Sequence, residues 1–334
     1  MAPLTADELA KHPEYNHTVW DLQPQQKAQL HVATARGGPI KIAYEIHGHG
    51  PRHLVWIMGL GGMKYAWQRQ TKDFAHAKAD QYSSLVFDNR GIGDSDKPRF
   101  RYSTSEMAKD VVELVDHLGW TGKRDLHVIG ISMGGMIAQE LGFVENLWNR
   151  ANLFIPKSID TQIENVKKNL YTQSWLDSPD TLEPVKQAFP TNGDRFAANE
   201  LWKRQQTEQF QRAGFILQAI AAGWHHKSAE QLQQLATSVG KSRIMVVHGT
   251  QDRMITFPHG VVLWRGLEKG EGKTGAENWL GLEAEEDVWQ QGEVEKHFIK
   301  GQGHALPVEM RAEFADWLEA LVERGIKLNS KDGA

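Results

Sequence analysis

The chain of 334 residues contains no cysteine. Disulfides, thiolate zinc sites, iron–sulfur clusters and a cysteine nucleophile are therefore excluded together. Charge of one sign is also missing: 38 Lys and Arg stand against 42 Asp and Glu, a formal net charge of -4. That balance carries no electrostatic footprint for DNA or RNA, so no nucleic-acid partner is expected. No apolar run approaches the ~18–20 residues of a membrane span. The opening MAPLTADELAKHPEYNHTVW has no apolar signal-type core, so a cytoplasmic protein is expected. What is plentiful is glycine, 31 residues gathered partly in short clusters, and tryptophan, 12 residues. The length suits one large α/β domain with an insertion, or two domains.

Hydrophobic runs of strand length occur at Leu30–Thr34, Ile40–Ile46, His53–Met58, Ser83–Phe87, Leu126–Ile131, Ile244–Val247 and Lys296–Ile299. Between them lie amphipathic stretches. Ser103–Leu118 opens with Ser103-Thr104-Ser105-Glu106, the pattern of a capping box, and places Met107, Val111, Leu114, Val115 and Leu118 at helical spacing. Strand, loop, helix, strand is the grammar of a mostly parallel sheet flanked by helices. The expected layout is a core of residues 28–155 and 241–328, a helical cap at 156–240 and an extension at 1–27 that is extended or loosely docked. Within the cap, Phe210–Trp224 reads as a helix, and Trp175, Trp202, Phe210, Phe215 and Trp224 read as a small core or as lining of an apolar pocket. Residues 266–292, rich in Gly and Glu, read as a solvated excursion.

Chemistry concentrates where strands run into glycine. Gly130-Ile131-Ser132-Met133-Gly134 is a G-x-S-x-G between an apolar strand and an apolar helix. This setting holds a serine on a tight elbow, and only glycine fits where the backbones crowd it. The helix N-terminus behind Ser132 favours developing negative charge. Gly59-Leu60-Gly61-Gly62 follows an earlier strand, and the N–H of Leu60 with that of Met133 can form an oxyanion hole. A phosphate loop is the weaker reading of GLGG, since the Lys-Ser/Thr of a P-loop is absent. A serine needs a base, and the base needs an orienting carboxylate. Asp252 and His304 both lie just past strand ends, where open α/β sheets place their sites. A turn or capping aspartate is the other reading of Asp252, and a surface loop histidine that of His304. His248 reads as a packed strand-end residue, and the loop Asp88–Ser95 as structural, held by internal hydrogen bonds. The groups His47, His49, His53 and His225-His226 lack the arrangement a metal site needs, and no metal is expected.

The pieces MGLGG (58–62), DNRGIGDSDKP (88–98), GISMGG (130–135), HGTQD (248–252) and GQGHALP (301–307), in this order, resemble the α/β-hydrolase superfamily. In tone the chain is similar to its fungal and methyl-esterase-like branches. The resemblance implies an α/β-hydrolase fold, a Ser132–His304–Asp252 triad, an oxyanion hole from Leu60 and Met133, a helical cap and no cofactor. The implied activity is hydrolysis of a carboxylic ester, or a related acyl compound, of a small apolar molecule through an acyl-enzyme. Met58 stands where a histidine is usual in the family. The segment after Leu141 looks shortened, with Ala151–Ile155 as the residues that could fill the strand slot. That shortening motivates an alternative, a non-catalytic protein of the same fold that binds a ligand or partner. The sequence leaves the oligomeric state open.

Overall fold

The apolar runs become seven strands in a computed structural model that describes residues 3–141, 159–271 and 286–332. These are β1 (Gln26–Val32), β2 (Ile40–His47), β3 (Arg52–Ile57), β4 (Tyr82–Phe87), β5 (Leu126–Gly130), β6 (Met245–Gly249) and β7 (Glu295–Ile299). The helices ahead of the insertion are α1 (Ala6–Lys11), the single turn α2 (Gln68–Gln70), α3 (Thr104–His117) and α4 (Met133–Leu141). Those within it are α5 (Ile159–Leu170), α6 (Gln173–Asp177), α7 (Asn192–Gln205), α8 (Arg212–Gly223) and α9 (Ala229–Val239). Beyond it come α10 (Phe257–Lys269), α11 (Glu286–Trp289), α12 (Leu306–Glu309) and α13 (Arg311–Asp332). The chain forms two units. Met1–Lys157, Leu182–Phe189 and Ala197–His226 make the first, and Ser158–Thr181, Pro190–Phe196 and Lys227–Ala334 the second.

The first unit is built on a sheet of order β1-β2-β4-β3-β5. β1 and β2 pair antiparallel, as do β2 and β4, whereas β3 lies parallel to both β4 and β5. The central β4 is buried along its whole length. Its two serines tolerate burial because each is bonded: Ser83 donates to Gly50 O at 2.7 Å, and Ser84 accepts from Trp56 Nε1 at 3.0 Å. α3 lays Met107, Val111, Leu114 and Val115 into the core as its spacing predicts. The capping box at its start is half formed. Ser103 accepts the Glu106 N–H at 3.1 Å, but the Glu106 carboxylate is turned to Arg36 and Lys109 instead of back to the cap. α8 reaches the same core through Ala221, Leu217 and Ala222.

Of the two expectations for the N-terminal residues, extended or loosely docked, the structure shows docking, and a firm one. Leu9, Glu14, Tyr15 and Thr18 are buried. The Glu14 carboxylate accepts the N–H groups of Val185, Lys186 and Gln187, and Tyr15 donates to Gln205 at 2.8 Å. α1 carries a complete capping box between Thr5 and Glu8, a signal present in the sequence as Thr5-Ala6-Asp7-Glu8.

The second unit pairs β6 and β7 in parallel. The excursion expected at 266–292 is corrected at both ends: α10 continues to Lys269 with Gly266 and Leu267 buried, and α11 buries Val288. Gly266 lets α10 pack closely on α9: a Cβ there would stand 2.4 Å from Leu232 Cδ1, and the leucine would have to shift. Residues 272–285 lie outside the described residues. So do 142–158, and with them the strand expected at Ala151–Ile155. Among the described residues β5 pairs on one side only, residues 159–240 are helical with no strand, and no helix is long and apolar enough to cross a membrane.

One buried ion pair ties α3 to the loop after β4. Arg90, with its side chain fully buried, donates from Nε and Nη2 to the two Asp110 oxygens, each at 2.6 Å. Arg36 donates to the same carboxylate at 3.0 Å. Removing one partner of such a pair leaves an uncompensated buried charge. Asp110→Ala is expected to lower the unfolding free energy by roughly 3–5 kcal/mol, measured by urea denaturation; a loss under about 1 kcal/mol would place the pair among exposed ones.

Candidate active site

In the first unit, two strand exits meet. β3 and β5 run parallel, so their C-terminal ends lie side by side. Beyond β5 the ladder continues for one bond, Ile131 N–H to Ile57 O at 3.3 Å. Ser132 then takes φ 57°, the left-handed region, at a cost of roughly 1–2 kcal/mol for a non-glycine residue. Gly134 N–H closes the turn on Ile131 O at 2.8 Å, and Met136 N–H on Ser132 O starts α4. The crowding explains the flanking glycines. A Cβ at Gly134 would stand 2.1 Å from Ile57 O, and one at Gly130 would stand 2.2 Å from Gly134 O. Gly135 has no such need, its nearest atom being at 3.4 Å.

The loop after β3 passes directly over Ser132. A Cβ on Gly59 would meet Ser132 Cβ at 3.0 Å and Oγ at 3.6 Å. Within this loop Gly62 N–H bonds Gly59 O at 3.2 Å, Gly61 N–H bonds Gln218 Oε1 at 2.9 Å, and Asn89 Nδ2 donates to Met58 O at 2.9 Å. Among the described residues the N–H groups of Leu60 and Met133 have no protein acceptor. The structure thus brings Ser132, Leu60 and Met133 together, with the two expected donors unengaged.

The loop after β4 is structural, as expected. Asp88 is buried, and its carboxylate accepts Lys64 N–H at 2.7 Å, Lys64 Nζ at 2.9 Å and Asp94 N–H at 3.0 Å. An open depression of 860 Å³ runs beside this loop, along Lys27, Tyr44, Asp94, Lys97 and Gln209. None of the five predicted site residues lines it, and its rim is polar surface, so it is set apart from the serine.

In the second unit, the loops after β6 and β7 brace each other. Gln251 N–H bonds Gln302 O at 2.8 Å, Thr250 N–H bonds Ile299 O at 3.1 Å, and Gly301 N–H bonds Thr250 Oγ1 at 3.1 Å. Asp252 and His304 are brought together: His304 Nδ1 donates to Asp252 Oδ2 at 2.7 Å. The other carboxylate oxygen accepts Met254 N–H at 2.8 Å and Ile255 N–H at 2.9 Å, which fixes the carboxylate plane. With Nδ1 committed as donor, Nε2 of His304 is the basic nitrogen. Glu309, which the motifs do not mark, secures the histidine loop by accepting Gly303 N–H at 2.9 Å and Thr172 N–H at 2.6 Å.

His47, His53 and His225 are absorbed locally. His53 stacks on Trp120 and bonds Asp125, His47 bonds His76 and Glu45, and His225 bonds Thr104 and Gln139. Among the described residues no group of three or more His, Asp or Glu side chains is arranged to hold a metal ion. The aromatics of the insertion do not form one small core. Trp175 stacks on Tyr171, Trp202 meets Tyr65 edge-on, Arg101 lies over Trp224, and Phe215 and Phe210 pack on Gly61.

Residues 52–142 match the family model described as the alpha/beta hydrolase fold. An esterase from Thermogutta terrifontis superposes with a TM-score of 0.59 over 90% of this chain and 99% of its own, at 18% identity. The protein has the α/β-hydrolase fold. Among curated relatives, a protein named as a carbamate hydrolase from Azorhizobium caulinodans is 30% identical over 138 residues, 38% of this chain and 49% of its own. A soluble epoxide hydrolase from a Corynebacterium species is 38% identical over 85 residues, 25% of this chain and 27% of its own. The chain spans about half the length of the first curated relatives it matches. What the fold places at the exits of β3 and β5 is the serine with its two free N–H groups; at the exits of β6 and β7, the Asp252–His304 pair.

His248 is packed at the end of β6, as expected. Its Nδ1 donates to Gly249 O at 3.0 Å, its ring lies against Gly260 and Phe257, and Nε2 stands 3.6 Å from Asp252 Oδ2. Burial holds its pKa below the ordinary 6.5, a depression that the neighbouring Asp252 carboxylate opposes and His304 and His259 reinforce. The unfolded chain takes up this proton first, so the contribution of the neutral imidazole is complete above about pH 6.5 and is lost as the pH falls below that value. The thermal midpoint is therefore expected to drop between about pH 6.5 and 5 by more in the wild type than in His248→Gln. An equal drop in both proteins would show that His248 is protonated in the fold at no cost.

Proposed function

We propose that the protein is a serine hydrolase that cleaves carboxylic esters, or related acyl compounds, of small apolar molecules. The observation that carries this reading is Ser132 at φ 57° beneath Gly59, flanked by the unengaged N–H groups of Leu60 and Met133. Ser132 Oγ attacks the acyl carbon while His304 Nε2 accepts its proton. The tetrahedral oxyanion is held by Leu60 and Met133 N–H, with the N-terminus of α4 behind it. Collapse of the intermediate breaks the bond to the alcohol, which leaves with the proton from His304. Water, deprotonated by His304, then attacks the acyl-enzyme, and the acid departs as Ser132 recovers its proton. Asp252 holds the imidazole tautomer and stabilises the imidazolium. The chemistry requires His304 Nε2 to reach Ser132 Oγ.

Residues 156–240 act in this proposal as a helical cap between the core segments 28–155 and 241–328, with 1–27 as an extension. Phe210 and Phe215, half-buried against Gly61, favour an apolar acyl or alcohol group. The name of the Thermogutta protein, an esterase, agrees with the ester class. The epoxide hydrolase relative does not extend to its own chemistry here, because the residue at the elbow is a serine and epoxide opening by that route requires a carboxylate nucleophile.

A fluorophosphonate probe is expected to label Ser132 and to leave Ser132→Ala unlabelled. Asp252→Asn is expected to lower kcat on p-nitrophenyl esters by about 10⁴-fold with KM nearly unchanged. Folded wild-type protein that takes no label at Ser132 would favour the non-catalytic reading. Activity across p-nitrophenyl esters of increasing chain length maps the acyl pocket.

A further inference from the structure

The donors of the oxyanion loop owe their direction to a side chain that the motifs do not mark. Gln218 lies on α8 and is fully buried. Its Oε1 accepts Gly61 N–H at 2.9 Å, and its Nε2 donates to Arg90 O at 2.9 Å. Both ends of the amide are thus committed, one to the loop after β3 and one to the loop after β4. The helix that carries it is seated independently. A Cβ at Gly214 would stand 1.9 Å from Gly91 O, Gly93 N–H bonds Gln209 O at 2.8 Å, and Gln209 Nε2 bonds Asp94 Oδ1 at 2.8 Å.

The consequence for Leu60 follows from the geometry of the peptide. Gly61 N–H and the Leu60 carbonyl share one plane, so a bond that holds the N–H also sets the direction in which that plane leaves Leu60. Glycines at 59, 61 and 62 would otherwise give the loop broad backbone freedom. The Leu60 N–H lies in the preceding peptide, with the Gly59 carbonyl, which accepts Gly62 N–H at 3.2 Å; a hydrogen bond thus holds the peptide on each side of Leu60, and Gln218 supplies the one that comes from outside the loop. We propose that Gln218 is a positioning residue that fixes the Leu60 N–H of the oxyanion hole. The proposal rests on the serine-hydrolase reading of Ser132.

The test compares wild type, Gln218→Met and Gln209→Met for the rate of Ser132 phosphonylation and for kcat and KM on p-nitrophenyl acetate. Gln218→Met keeps the side-chain length and loses both hydrogen bonds; Gln209→Met loosens the seat of α8 without touching Gly61. Gln218→Met is expected to lower kcat and the phosphonylation rate by roughly 10–100-fold with KM within about twofold, whereas Gln209→Met keeps wild-type rates. Gln218→Glu retains an acceptor for Gly61 N–H and is expected to stay within about fivefold of wild type. Wild-type rates in folded Gln218→Met, a change confined to KM, or equal losses in the methionine and glutamate variants overturn the proposal. Wild-type protein that takes no label at Ser132 overturns the hydrolase reading itself, and is told apart by failing before any variant is made.

Discussion

A single backbone-on-backbone approach governs the serine side of this protein. Gly134 lies so close to the Ile57 carbonyl that a methyl group would stand 2.1 Å from it. That approach lets α4 start against the end of β3. It turns Ser132 into the left-handed region and keeps Met133 N–H, at the helix start, free of any intrahelical partner. The strain at Ser132 persists because parallel pairing of β3 with β5 and the turn bond from Gly134 over-determine the local conformation. The loop above the serine is then completed from outside: Asn89 holds Met58 O, and Gln218 holds Gly61 N–H.

The Asp252–His304 pair is built by a different device. Asp252 and His304 sit on loops that follow two parallel strands, and the loops are stitched together by backbone bonds. Gly249 permits this closeness, since a Cβ there would stand 2.2 Å from Gln302 O. Asp252 receives three donors, two from its own turn and one from His304. A carboxylate held by three hydrogen bonds orients the imidazole with little freedom left to either side chain.

What the sequence made legible was whatever local backbone crowding forces. The glycines beside Ser132, the strand-end positions of Asp252 and His304, and the seven apolar runs all follow from short-range rules, and the strands appear within a few residues of their expected limits. The parts that escaped depend on partners distant in the chain. Glu14 is buried because amides more than 170 positions away converge on it. Gln218 was visible only as a lone polar residue in the apolar stretch GFILQAIAAGW, and nothing local says that its amide spans two loops. The capping box at Ser103 fails for the same reason, as Arg36 draws Glu106 away. The coils at both ends of 266–292 gave way to helix because tertiary packing of Gly266 and Val288 outweighs weak propensity.

The most direct measurement is a crystal structure of the wild-type protein after reaction with a phosphonate ester. The expected adduct has phosphorus bonded to Ser132 Oγ, a phosphoryl oxygen about 2.7–3.1 Å from both Leu60 N and Met133 N, and His304 Nε2 within hydrogen-bond reach of Ser132 Oγ. An adduct on another residue, or a phosphoryl oxygen turned away from these two amides with His304 remote, would contradict it.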